Sequence, residues 1–297
     1  MVITMTVINL DGNTLSPTEI VLVSRGAVVE VATDAWPKVE AARNVVEGIL
    51  ERGETVYGIN TGFGALVSER ISSDDLAALQ VNLIRSHACG IGDYMSIEDT
   101  RAMMCVRVNS LVKGYSGIQR IVVEQIITYL NNGVIPVVPR IGSLGASGDL
   151  APLSHMALAL IGEGEVWGED GPIPTEILLK EKGLIGVDLS AKDGLSLING
   201  TSQMCALLVN AEDRLANLLP LADLIACVSI EAKKCSIKPM DPRVHQARPH
   251  HGQSLVAERI TKIMSGSRIL ESHKDCDKVQ DAYSFRCIPQ AHGAVLE

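Results

Sequence analysis

The chain has 297 residues, enough for one large domain or two, and 46% of them are hydrophobic. Aromatic residues make up only 3%, so the core must be built from Leu, Ile, Val, Ala and Met, a composition that favours helices over an aromatic-rich β-sandwich. A net charge of −9 argues against a nucleic-acid partner, which would need a basic face, and fits a cytoplasmic protein.

The first residues, MVITMTVINLDGNTLS, have neither a basic start nor an apolar run with a cleavage site, so no signal peptide is expected. Within them, residues 3–10 alternate weakly and read as a short strand. SPTEIVLVSRG reads as a helix start, with Ser16 as cap, Pro17 at the first helical position and Glu19 closing a capping box. WPKVEAARNVVEGILERGE is an amphipathic helix closed by Gly53. TVYGINTGFGALVS then breaks into a glycine loop around Tyr57 and Phe63. DLAALQVNLIRSHACGIGD returns to helix and is expected to stop at Gly90 and Gly92. Two more helices follow, the second ending at Asn132-Gly133. VIPVVPRIGSLGASGD reads as irregular, and residues 162–196 as a polar, hairpin-like region.

From INGTSQMCALLVNAEDRLANLL a long helix is expected, capped by Thr201 or Ser202. Its apolar positions Met204, Leu207, Leu208, Ala211, Leu215 and Leu218 recur at helical spacing. The apolar stretch LANLLPLADLIACVSI contains Pro220 and Asp223 and reads as short of an uninterrupted membrane span, so no membrane partner is expected. The fold class is therefore mainly α. A mixed N-terminal domain is assigned to residues 1–198 and the beginning of a long-helix domain to residues 199–297. Seven cysteines, an odd number without a CxxC pair, point to a reducing compartment and mostly buried thiols. Cys235, His245, His250 and His251 match no usual zinc spacing, and no metal is expected.

GSLGASGDL, residues 142–150, lacks the phosphate-loop, dinucleotide-turn and nucleophile-elbow patterns. Its plain reading is a turn into a helix capped by Asp149. A chemical reading also exists. Ala146-Ser147-Gly148 is small enough for the Gly148 amide nitrogen to reach the carbonyl carbon of Ala146. Ring closure and loss of two waters would make an electrophile from backbone, a function that side chains supply badly.

GSLGASGDLAPLSHMALALIGEGE resembles the signature of the aromatic amino acid ammonia-lyases and aminomutases. So, in order, do YGINTGFG (57–64), NLIRSHACGIG (82–92), LSLINGTSQM (195–204), RPHHGQ (248–253) and VQDAYSFRCIPQAHG (279–293). Within that family RSHACG, MDPRVHQARPHHGQ and VQDAYSFRCIPQ are most similar to the histidine ammonia-lyases. The resemblance implies 4-methylidene-imidazol-5-one formed autocatalytically from Ala146, Ser147 and Gly148, with no external cofactor. It implies elimination of ammonia from an aromatic amino acid, L-histidine to urocanate, with tyrosine or phenylalanine ammonia-lyase or 2,3-aminomutase activity as the alternative.

By the same resemblance Tyr57 is the base. A free phenol titrates near about 10, so that role calls for positive potential from helix N-termini or an arginine. Arg286 matches the substrate-carboxylate ligand, Asn199 and Gln280 match substrate-binding positions, and Tyr283 lies beside the substrate amine. Ser86 and His87 occupy the selectivity position, whereas His155 is expected to be structural. The family forms homotetramers whose active sites are shared between subunits, so self-association is expected. The chain lacks much of a usual member's helical bundle, and its final Leu296-Glu297 resembles a cloning scar, so a C-terminally truncated chain is expected. A folded but catalytically silent fragment is the alternative of a different class.

Overall fold

The computed structural model describes residues 6–62, 71–72, 75–146 and 148–297; Phe63, Gly64 and Ser147 fall outside the described residues. The fold is mainly α. It divides into two compact units, Met1–Ala211 and Glu212–Glu297.

The first unit opens with β1 (Val7–Leu10) and β2 (Val28–Val31), paired in parallel with Val7 beside Val28 and Leu10 beside Val31. The crossover between them is α1 (Pro17–Ser24), where the Ser16 hydroxyl accepts from the Glu19 amide and the Glu19 carboxylate accepts from the Ser16 amide. Ile8, Leu10 and Val29 face inward. Next come α2 (Trp36–Glu51), α3 (Leu76–His87), β3 (Ile91–Tyr94), α4 (Ile97–Leu111) and α5 (Arg120–Asn131). After these lie β4 (Pro139–Ile141), α6 (Leu150–Leu160), a hairpin of β5 (Glu165–Trp167) and β6 (Pro172–Pro174), α7 (Thr175–Lys182) and α8 (Asp193–Ile198).

The core sits around α4, whose Ala102, Met103, Met104, Cys105, Val108 and Leu111 are all buried. A helix buried on several faces needs no single apolar stripe. Its polar members survive burial by serving other elements. Arg101 donates from Nε to the Val23 carbonyl at 2.8 Å and from Nη1 to the Leu130 carbonyl at 2.9 Å, satisfying the last turns of α1 and α5.

Two local expectations need correction. The third helix ends at His87 rather than at the glycines, because residues 91–94 are extended and pair antiparallel with β4. The segment read as irregular contributes that partner strand, plus a bridge from Pro136 to Val166.

α9 (Ser202–Ala232) runs for 31 residues straight through Pro220, and the unit boundary falls within it. Pro220 lies inside it without ending it, so the stretch read as short of an uninterrupted span belongs to one continuous helix. By length and composition alone it is apolar enough to cross a bilayer. Yet Asp223 is fully buried and accepts from Arg259 Nη1 at 2.5 Å and from His292 Nδ1 at 2.7 Å. A bilayer core would penalise such charges. The apolar residues Leu208, Leu215 and Leu218 are exposed along it rather than packed in the core.

The second unit adds α10 (Pro242–Gln246), α11 (His251–Ile263), α12 (Arg268–Ser272), α13 (Tyr283–Arg286) and α14 (Ile288–Leu296). Its core joins Cys227, Ile230, Met240, Val256, Ile260, Met264 and Ile288. Cys105, Cys227 and Cys235 are buried, but Cys89, Cys205 and Cys276 are exposed, so the thiols are not mostly buried.

Candidate active site

The glycine-rich loop leaves β4 and enters α6. Gly145 takes φ +73°, a conformation that costs glycine little. At Gly148 the constraint is proximity: a Cβ there would lie 2.8 Å from Asn199 Oδ1 and 2.8 Å from the Gly200 nitrogen. The next amide, Asp149 N–H, donates to the Gly200 carbonyl at 2.6 Å. The loop is thus pressed against the turn that follows α8.

Asp149 does not cap α6 with its side chain. The third helical residue there is Pro152, which has no N–H to offer a cap. The carboxylate instead turns to the start of α9. Its Oδ2 accepts from the Gln203 amide at 2.8 Å and the Met204 amide at 3.2 Å, while Oδ1 accepts from Ser143 Oγ at 2.7 Å. Asp149 therefore does for α9 from a distance what Thr201 or Ser202 was expected to do locally.

α3, α6 and α8 pack on one another around this loop. Ser86 and His87 form the last turn of α3. His87 Nδ1 lies 2.9 Å from the Leu83 carbonyl and 3.0 Å from Ser86 Oγ, and Ser86 Oγ donates to the same carbonyl at 2.8 Å. A carbonyl partner requires the proton on Nδ1, so in the neutral ring Nε2 is the acceptor. His155 on α6 accepts the Gly90 amide through Nε2 at 3.1 Å. Burial lowers its pKa, so it serves as a neutral structural acceptor. Tyr57 is more than half exposed, and the adjoining Gly58 packs so closely on α8 that a Cβ would meet Leu195 Cδ2 at 2.5 Å. The Tyr57 turn, Ser86-His87, Gly148 and Asn199 are thereby carried on elements that touch one another. Ala146 lies in the same loop, and Ser147 falls outside the described residues.

Gln280, Tyr283 and Arg286 belong to the second unit. Arg286 Nε donates to the Asp281 carbonyl at 3.1 Å, and its guanidinium carbon sits 5.2 Å from the centre of the Tyr283 ring. Gln280 and Arg286 line a cavity of about 920 Å³ together with Lys238, Arg268 and Lys278. The segment is moored by two residues that nothing in the local sequence marks except their i,i+3 spacing. Asp281 Oδ2 accepts the Ser236 amide at 2.7 Å, and Lys278 Nζ donates to the Lys233 and Lys234 carbonyls at 3.0 and 3.2 Å. Those carbonyls follow the C-terminal end of α9, where a cation is favoured.

Comparison with known proteins bears on the same residues. The model of the family described as aromatic amino acid lyase matches residues 15–297. A histidine ammonia-lyase of Myxococcus xanthus is 45% identical over 289 residues, covering 97% of this chain and 57% of the relative. The chain thus spans a little over half the length of that relative. Among solved structures, the tyrosine aminomutase of Streptomyces globisporus superposes with a TM-score of 0.89 at 36% identity, covering 98% of this chain and 59% of that one. Histidine ammonia-lyase from Trypanosoma cruzi superposes with a TM-score of 0.85 at 38% identity, covering 97% and 54%. With the sequence motifs, the loop seated on Asn199 and Gly200 and a family match over nearly its whole length, the chain belongs to the aromatic amino acid lyase family.

Proposed function

We propose that the chain is part of an ammonia-lyase that converts L-histidine to urocanate. The observation that carries this reading is the seat of Gly148. Asn199 Oδ1 and the Gly200 nitrogen crowd it so that no Cβ fits, which keeps at this position the residue whose amide nitrogen is least hindered for ring closure. The residues present fit a methylidene-imidazolone made from Ala146, Ser147 and Gly148. Formed there, that group would supply an electrophilic carbon for the substrate amine.

The remaining roles belong to the chain's own side chains. Tyr57 Oη takes the β-proton of the substrate. His87 offers its Nε2 lone pair to an imidazole N–H, because Nδ1 is engaged with the Leu83 carbonyl. Ser86 fixes the His87 ring, and Asn199 holds both loop and substrate. Arg286 presents a guanidinium fork to the substrate carboxylate, Gln280 lies beside it, and Tyr283 lies beside the amine. Self-association supplies the full site, with the exposed apolar face of α9 as the contact.

The test has two arms on the 297-residue chain. Its intact mass should fall two waters below the encoded value, and L-histidine should yield urocanate, followed by absorbance. L-Tyrosine and L-phenylalanine in parallel, with products identified by chromatography, separate a lyase from an aminomutase. A mass equal to the encoded value would remove the electrophile from this chain. The deficit without any product would favour the second reading, a folded but silent portion, which the chain's 57% coverage of its relative supports.

A further inference from the structure

Arg107 is a cation where α4 is otherwise apolar. It is only 3% exposed, between the buried Met104, Cys105, Val108 and Leu111. Burying a guanidinium is costly unless its protons are used. Its Nη2 donates to the carbonyls of Ser196 and Asn199, the latter at 3.2 Å, and its Nε has no hydrogen-bond partner among the described residues. Burial pulls its pKa down to about 10, with the negative charge of Asp149 acting in the opposite sense. A Cβ on Gly200 would overlap its Nη1. The guanidinium therefore clamps the end of α8 and the turn after it.

That turn is the surface on which the loop is seated. Asn199 Oδ1 and the Gly200 nitrogen crowd Gly148, and the Gly200 carbonyl accepts the Asp149 amide at 2.6 Å. The contacts run in sequence from Arg107 to Asn199-Gly200, and from there to Gly148-Asp149. An amide nitrogen is a poor nucleophile, so ring closure depends on enforced proximity.

We propose that Arg107 is a positioning residue for ring closure: by fixing the Asn199-Gly200 backbone it holds the Gly148 nitrogen against the Ala146 carbonyl. The inference rests on the reading that residues 146–148 cyclise. In that step a bond forms between Gly148 N and the Ala146 carbonyl carbon. The Ala146 oxygen leaves as water with the amide protons of Gly148 and Ser147, and a C=N bond forms to the Ser147 nitrogen. The Ser147 hydroxyl then leaves as a second water with the Cα proton, giving the exocyclic methylene. No oxidant is needed.

The experiment follows the intact mass of the chain with time after cell-free synthesis. Arg107→Met and Arg107→Lys are compared with Arg101→Met, a control that removes another buried α4 guanidinium bound to carbonyls far from the loop in sequence. Circular dichroism and thermal melting report folding. The unsubstituted chain and Arg101→Met should reach the two-water deficit at similar rates, and both Arg107 variants should lag by about tenfold to a hundredfold, the size of effect a small misplacement produces. If Arg107→Met does not fold, Arg107→Lys decides, because it keeps the charge but loses the fork. A folded Arg107 variant that cyclises as fast as the control overturns the inference and leaves cyclisation standing. An unsubstituted chain without the deficit removes the cyclisation reading, and this inference with it.

Discussion

His87 shows how one backbone contact sets side-chain chemistry. With Nδ1–H committed to the Leu83 carbonyl, the ring offers Nε2 as an acceptor, which suits the N–H of an imidazole substrate and offers nothing to a phenyl ring. His87→Leu should therefore depress turnover of histidine much more than that of phenylalanine, read as the ratio of kcat/KM for the two substrates. Equal losses would reduce His87 to packing. At Gly148 the constraint is steric. Gly148→Ala forces a methyl group into the space held by Asn199 and Gly200, an overpacking that costs about 1–3 kcal/mol. The melting temperature should fall and the two-water mass deficit should disappear. Cysteine reactivity divides by burial. Burial pushes the Cys105 thiol up to about 12, whereas Cys276 is exposed. Iodoacetamide at mild alkaline pH should label Cys276 in the folded chain and reach Cys105 only after denaturation, as peptide mapping would report.

At the scale of elements, the start of α9 depends on a residue more than fifty positions earlier. Asp149→Ala would leave the Gln203 and Met204 amides without their acceptor, at about 1–3 kcal/mol for the buried Gln203 donor. Urea denaturation should show a lower midpoint. Asp149→Asn, which keeps one carbonyl oxygen, should recover part of the loss. That α9 exists is legible from the spacing of its apolar residues, and so is the capping box of α1, since both are local patterns. The partner of the α9 N-terminus is not local. Ser and Thr precede that helix and look sufficient, while the carboxylate that does the work arrives from the loop before α6. The short strand β3 is hidden for a similar reason: glycine-rich sequence becomes extended only because β4 lies alongside it.

For the molecule as a whole, α9 carries an exposed apolar face. Leu218 is 58% exposed, Ile225 58% and Val228 61%. An apolar surface of this kind on a family member is expected to be covered by another copy. Leu218→Glu combined with Ile225→Glu should lower the mass measured by light scattering without lowering helicity, whereas an unchanged mass would exclude this face from self-association. The helical class, the family and the candidate residues are legible in the sequence, because composition, periodicity and short motifs are properties of neighbours along the chain. That Asn199 and Gly200 form the seat of Gly148, that Asp149 serves α9, that Arg107 is buried beneath that seat, and that the apolar stripe of α9 faces outward emerge only on folding. Each of these joins residues tens of positions apart or depends on which side of a helix the core occupies, and burial and hydrogen bonding settle such matters only once the chain has folded.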